Sequence, residues 1–112
     1  MITRGLEKQL IDAVEQYPVV FVTGPRQSGK STLLKYLFSD YQYVSLEDLD
    51  NREFARNDPR SFLATYNSKT IIDEAQHVPS LFSYIQTRVD SAGEMGMYIL
   101  SGSQNFLLMQ SI

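Results

Sequence analysis

The sequence predicts an α/β fold: a parallel sheet of about four strands with helices on both faces. Three observations carry that expectation. Short apolar or β-branched segments alternate with segments of helical periodicity along the chain. The first apolar segment runs into a loop of Gly, Pro and Ser that opens a helix, and a later one ends in two adjacent acids. Strands separated by helices need crossover connections, which place the strands parallel.

The elements follow in order. Ile2, Leu6, Leu10, Val14 and Tyr17 recur every three or four residues, which predicts an amphipathic helix over residues 1–17, ended by Pro18. Val19 to Thr23 is apolar or β-branched at every position, as expected of a strand covered on both faces. Gly29 to Phe38 reads as a helix that buries Leu33, Leu34, Leu37 and Phe38. Tyr41 to Leu46 is the second strand. Asp48 to Tyr66 reads as helix in two pieces, broken near Asn57-Asp58-Pro59. Thr70 to Ile72 is a short strand leading into "DEAQ". Val78 to Ser91 is a helix entered through Pro79, with Leu81, Phe82, Ile85 and Val89 on one side, and Gly96 to Ser101 is the fourth strand.

Composition bounds the function. A chain of 112 residues makes at most one small domain, and its 43% hydrophobic content can fill a core. A net charge of -3, with no two basic residues adjacent, gives no field for nucleic acid. The lack of cysteine excludes disulfides and thiolate metal sites. There is neither a signal-peptide core nor an apolar run of the roughly 18 residues that a membrane helix needs, so a cytoplasmic protein is expected. The chain stops in the apolar "NFLLMQSI" without a capping signal, so residues 1–112 are expected to form one partial domain of a longer protein, with no second domain among them.

Residues Gly24-Pro25-Arg26-Gln27-Ser28-Gly29-Lys30-Ser31 fit the pattern G-x-x-x-x-G-K-[ST]. Glycines there let successive N–H groups point inward as an anion cradle, and the helix opening at Gly29 adds its positive end. Lys30 would reach the β- and γ-phosphates of a nucleotide, and the Ser31 hydroxyl would bind Mg2+. In "TIIDEAQ", Asp73 ends a buried strand at the sheet edge where the loop lies, placed to hold Mg2+ through water. Glu74 beside it is a candidate general base for the attacking water. In "YILSGSQN", Ser103 is the first choice and Ser101 the second for a contact to the γ-phosphate, with Asn105 lying farther along. The competing structural readings are a plain glycine turn, two solvated acids, and ordinary small polar strand ends.

Other residues are weighed more briefly. Arg26 can touch phosphate or face solvent. Gln76 can help position the water. His77 lacks an accompanying ligand cluster in the sequence and is not assigned a metal. "LEDLDNRE" reads as a solvated turn and helix start, and Tyr36, Tyr41 and Tyr43 lack the basic neighbours of a nucleic-acid stacking surface.

Taken together, "GPRQSGKSTLL", "YVSLED", "TIIDEAQHVPSLF" and "YILSGSQNFLL" resemble, in order and spacing, the N-terminal ATPase domain of a prokaryotic AAA+-type family. Its members typically carry a further C-terminal domain, one of them nuclease-like in sequence. The resemblance implies a three-layer P-loop NTPase fold and the cofactors ATP and Mg2+. It implies a Walker A loop formed by Gly24, Pro25, Arg26, Gln27, Ser28, Gly29, Lys30 and Ser31, continued by Thr32. It further implies Asp73 and Glu74 as Walker B, with Asp73 and Ser31 at the metal and Glu74, Lys30 and Ser103 in catalysis. Ser103 would sit near the sensor-1 position. The expected sheet order is Walker A strand, sensor strand, Walker B strand, second strand. A fifth strand, arginine finger and helical lid would lie beyond this chain, which leaves the core incomplete and Val19 to Thr23 as an apolar edge. Self-association or oligomerisation through that edge is therefore expected, with any protein or nucleic-acid partner engaged through the following region.

The leading functional expectation is an ATPase whose hydrolysis drives conformational change, although this stretch alone need not turn over. The alternatives are a small-molecule or nucleotide kinase on the same loop, and a non-hydrolytic nucleotide-binding interaction module. A GTPase is disfavoured because no Asn-Lys-x-Asp motif occurs.

Overall fold

The computed structural model describes residues 4–23 and 29–102. Its elements are α1 (Arg4–Gln16), β1 (Val19–Thr23), α2 (Lys30–Leu37), β2 (Gln42–Ser45), α3 (Leu49–Asn57), α4 (Pro59–Thr65), β3 (Thr70–Asp73), α5 (Leu81–Ala92) and β4 (Tyr98–Gly102). The strands form one four-stranded sheet in the order β1-β4-β3-β2. All its pairings are parallel, with Val22 opposite Ser101, Ile72 opposite Leu100 and Ser45 opposite Asp73. This is the order expected from the resemblance.

Helices cover both faces of the sheet. On one face Leu10 of α1 and Leu34 of α2 pack against Val20, Val22, Ile71 and Ile99. On the other, Ala55, Phe62, Leu63, Phe82, Ile85 and Val89 of α3, α4 and α5 pack against Val44, Ile72, Tyr98 and Leu100. The central strands β3 and β4 are buried at every position, which is why they read as continuous apolar runs. Among the described residues β1 pairs only with β4 and forms one edge of the sheet.

Several boundaries have a local cause. Asp58 ends α3 and caps α4, its carboxylate accepting from the Ser61 amide at 3.3 Å, while Pro59 takes the first turn of α4. Asp48 caps α3 by accepting from the Asn51 amide at 2.9 Å, so the acidic run is a helix start as well as a turn. The helix expected from Val78 begins instead at Leu81, because Val78 precedes proline and is held extended at φ -132°. Between β3 and α5 the structure inserts a 3-10 turn, Ala75–His77, that the periodicity did not signal.

Gly96 ties α1 to the start of β4. Its N–H donates to the Tyr17 carbonyl at 2.8 Å, and the Tyr41 hydroxyl donates to its carbonyl at 2.6 Å. Its φ is +67°, and a Cβ there would lie 2.6 Å from the Val14 carbonyl oxygen. Gly93, at φ +68°, has nothing within 4 Å of that position. Gly96→Ala therefore adds a backbone clash to the left-handed penalty and is expected to destabilise by about 2–4 kcal/mol. Gly93→Ala carries only the penalty, about 1–2 kcal/mol. Urea unfolding of both variants checks the ranking, and equal losses would show that the clash is relieved.

Candidate functional site

Parallel strands bring the C-terminal ends of β1, β2, β3 and β4 to one edge of the sheet, and α2 starts there. Gly29, at the N-cap of α2, has φ +87° with open space around it, so glycine is needed for the backbone turn rather than for room. It brings no side-chain cap, which leaves the first-turn N–H groups of α2 as donors toward an anion. Lys30 and Ser31 follow in that first turn. The expected loop residues Gly24, Pro25, Arg26, Gln27 and Ser28 lie outside the described residues, as do Ser103 and Asn105.

Asp73 is the hub. Its Oδ2 accepts from the Ser31 hydroxyl and from the Tyr43 hydroxyl, both at 2.5 Å. Its Oδ1 accepts from the Ser101 hydroxyl at 2.5 Å and from the Glu74 amide at 3.0 Å. Burial pushes the Asp73 carboxyl up, but the Ser101, Ser31 and Tyr43 hydrogen bonds and the Lys30 ammonium outweigh it and hold it below the ordinary carboxylate value. Asp73 is thus an anion at neutral pH, despite being only 4% exposed.

Glu74 is buried beside it in a left-handed conformation, φ 56° and ψ 44°. A non-glycine residue there carries a strain of about 1–2 kcal/mol, tolerated where the surroundings fix it. The turn brings one carboxylate oxygen of Glu74 to 4.0 Å from Lys30 Nζ, and the other accepts from Gln76 Nε2 at 2.7 Å. Lys30 and Glu74 side chains are 7% and 11% exposed, so their opposite charges face each other with little water between them.

The structure thus brings Lys30, Ser31, Asp73 and Glu74 together. Thr32 follows them in the same helical turn. Ser101 is fully buried and points its hydroxyl at Asp73. Hard oxygen donors, a hydroxyl and an ionised carboxylate side by side, suit Mg2+. The ammonium of Lys30 and the first turn of α2 suit phosphate.

His77 has carboxylate neighbours in the fold that it lacks in the sequence. Glu47, Glu74 and His77 offer ligand atoms within 4.8 Å of one another, with His77 Nε2 3.3 Å from a Glu47 carboxylate oxygen. The ends of β2 and β3 bring these residues together from 30 positions apart, a proximity that sequence inspection does not reveal. Two of the three tyrosines are engaged internally, Tyr41 on Gly96 and Tyr43 on Asp73, while Tyr36 is exposed. The role of Tyr43 went unread in the sequence. The available signal was register: Ser45 lies opposite Asp73, and the residue two before it shares that face.

A family model described as an AAA domain matches residues 16–112. Uncharacterized proteins of Mycobacterium tuberculosis and Mycobacterium bovis are each 32% identical over 102 residues, which is 89% of this chain and 23% of theirs. The chain therefore spans about a quarter of the length of these relatives. No solved structure matches it.

Proposed function

The chain belongs to the AAA domain family, and from that premise we propose that it binds ATP with Mg2+ and, in the intact protein, hydrolyses it to drive a change of conformation. The observation that carries this reading is the convergence of Lys30, Ser31, Asp73 and Glu74 at one sheet edge, with Ser31 Oγ 2.5 Å from Asp73 Oδ2.

In this reading the loop from Gly24 to Gly29, with the first-turn amides of α2 through Thr32, wraps the phosphates. Lys30 leaves Glu74 for the β- and γ-phosphate oxygens. Ser31 and Asp73 would hold Mg2+, which supplies positive charge to the same oxygens when bound. Glu74, freed from Lys30 and steadied by Gln76, accepts a proton from a water as that water's oxygen attacks the γ-phosphorus. The bond to the β–γ bridging oxygen breaks, and ADP and phosphate leave. Ser103 is assigned to the γ-phosphate side of the site.

Two buried adjacent acids at a strand end, Asp73 and Glu74, favour water as acceptor over a second substrate hydroxyl, and so hydrolysis over kinase chemistry. We further place residues 1–112 in one P-loop domain, working in the cytoplasm. Among the described residues no helix is long and apolar enough to cross a membrane. The edge of β1 away from β4 carries Val19 to Val22 without a charge, and is the surface along which a second copy or another part of the protein would pair.

The test is a titration of the intact protein with a fluorescent ATP analogue, in Mg2+ and in EDTA, alongside phosphate release. Mg2+-dependent binding and release are expected, with ATP preferred to GTP. Failure to bind any triphosphate would reject the assignment.

A further inference from the structure

The Asp73 carboxylate is held from both neighbouring strands. β4 supplies the Ser101 hydroxyl to Oδ1, and β2 supplies the Tyr43 hydroxyl to Oδ2. The terminal torsion of an aspartate is broad and roughly two-fold, so a carboxylate with donors on one side only can swing. A hydroxyl on each oxygen, from opposite strands, restricts that freedom beyond what the Glu74 amide on Oδ1 does from the chain itself. We propose that Tyr43 is a positioning residue for the divalent cation: together with Ser101 it fixes the plane of the Asp73 carboxylate, and thereby sets how tightly and how selectively Ser31 and Asp73 hold Mg2+. The inference rests on the ATP-site reading above.

The rest of the geometry supports this division of labour. Oδ2 accepts from two hydroxyls, but they are not equivalent. Ser31 can offer a lone pair to a cation while its O–H still donates to Asp73, so it serves as a ligand itself. Tyr43 reaches Asp73 from the strand side and need not move. Its ring is fixed independently, lying in the apolar layer under α2 with Lys35 Nζ 4.1 Å from its centroid. A tyrosine hydroxyl keeps its proton throughout the neutral range and so stays a donor there.

The selectivity follows from what each cation tolerates. Mg2+ demands a near-ideal octahedron with oxygens at about 2.0–2.1 Å, whereas Ca2+ accepts about 2.3–2.6 Å in flexible arrangements. Asp73, reaching the cation through water, sets where that water's oxygen sits, so a carboxylate free to swing loses more for Mg2+ than for Ca2+.

The experiment uses Tyr43→Phe in the intact protein, which keeps the ring and its contact with Lys35. Binding of a fluorescent ATP analogue is titrated with Mg2+, with Ca2+ and in EDTA, and thermal unfolding is followed alongside. Affinity in EDTA is expected to stay within about twofold of wild type, because Tyr43 is not among the phosphate-binding groups. The Mg2+ midpoint is expected to rise about tenfold, the size typical of losing an outer hydrogen-bond partner of a metal ligand, and the Ca2+ midpoint less than about threefold. Ser101→Ala loosens the same carboxylate from its other oxygen and is expected to shift Mg2+ in the same direction. This second variant carries the test if Tyr43→Phe folds poorly. An unchanged Mg2+ midpoint, or equal weakening in EDTA, Mg2+ and Ca2+, overturns the role of Tyr43. If wild type itself gains no nucleotide affinity from Mg2+, then Asp73 holds no cation and the underlying ATP-site reading falls with it.

Discussion

Lys30→Ala is expected to cost the protein its grip on a nucleoside triphosphate. The ammonium sits at the first position of α2, 7% exposed, with Glu74 as its counter-charge at 4.0 Å. In that setting a cation meets phosphate oxygens in a low dielectric, where charge-assisted hydrogen bonds are strongest. Truncating one member of a buried charged contact typically costs about 2–5 kcal/mol, which is roughly 30-fold or more in affinity. The variant also leaves Glu74 buried without the ammonium, so a lower unfolding midpoint is expected as well. The two effects separate in Lys30→Ala/Glu74→Gln, in which no charge is stranded. Stability should largely return while triphosphate binding stays lost. A fluorescent-nucleotide titration with thermal unfolding measures both. Binding of ATP by Lys30→Ala at wild-type affinity would remove the lysine from the site.

Much of this was legible because the chain's periodicities and its site lie along the sequence in the same order. A run apolar at each of Ile71 and Ile72, followed by Asp73, is readable as a buried strand with an acid at its exit. The break at Asp58-Pro59 was readable because the capping and proline preferences act within four residues. What could not be read depends on separations across the sheet. Tyr43 looked like one aromatic among three, and only the pairing of β2 with β3 puts its hydroxyl on Asp73. His77 looked isolated until the strand ends brought Glu47 beside it. The left-handed turn at Glu74 was hidden for a different reason. Local preference argues against φ 56° at a glutamate, and the surrounding structure overrides it. That override aims the Glu74 side chain at Lys30 and Gln76 rather than onward along the strand direction.

This placement makes Glu74→Gln the sharper of the two substitutions. The amide is nearly the same size as the carboxylate and keeps a carbonyl oxygen for Gln76 Nε2, which lies 2.7 Å from a Glu74 oxygen in wild type. The left-handed backbone and the hydrogen bond from the backbone N–H of position 74 to Asp73 are untouched. What disappears is a proton acceptor and one negative charge facing Lys30. Removing a general base typically costs about 10²–10⁴ in the chemical step, and that loss is expected in single-turnover phosphate release by the intact protein. Binding moves the other way. On the proposed reading the triphosphate draws Lys30 from Glu74 in wild type. A neutral amide in place of the carboxylate ends that competition, so ATP is expected to bind as tightly or more tightly. The expected signature is a variant that holds ATP without releasing phosphate, distinct from Lys30→Ala, which fails to hold it. Equal loss of binding and turnover would recast Glu74 as the structural partner of Lys30. Unchanged turnover would hand the role of base to another group.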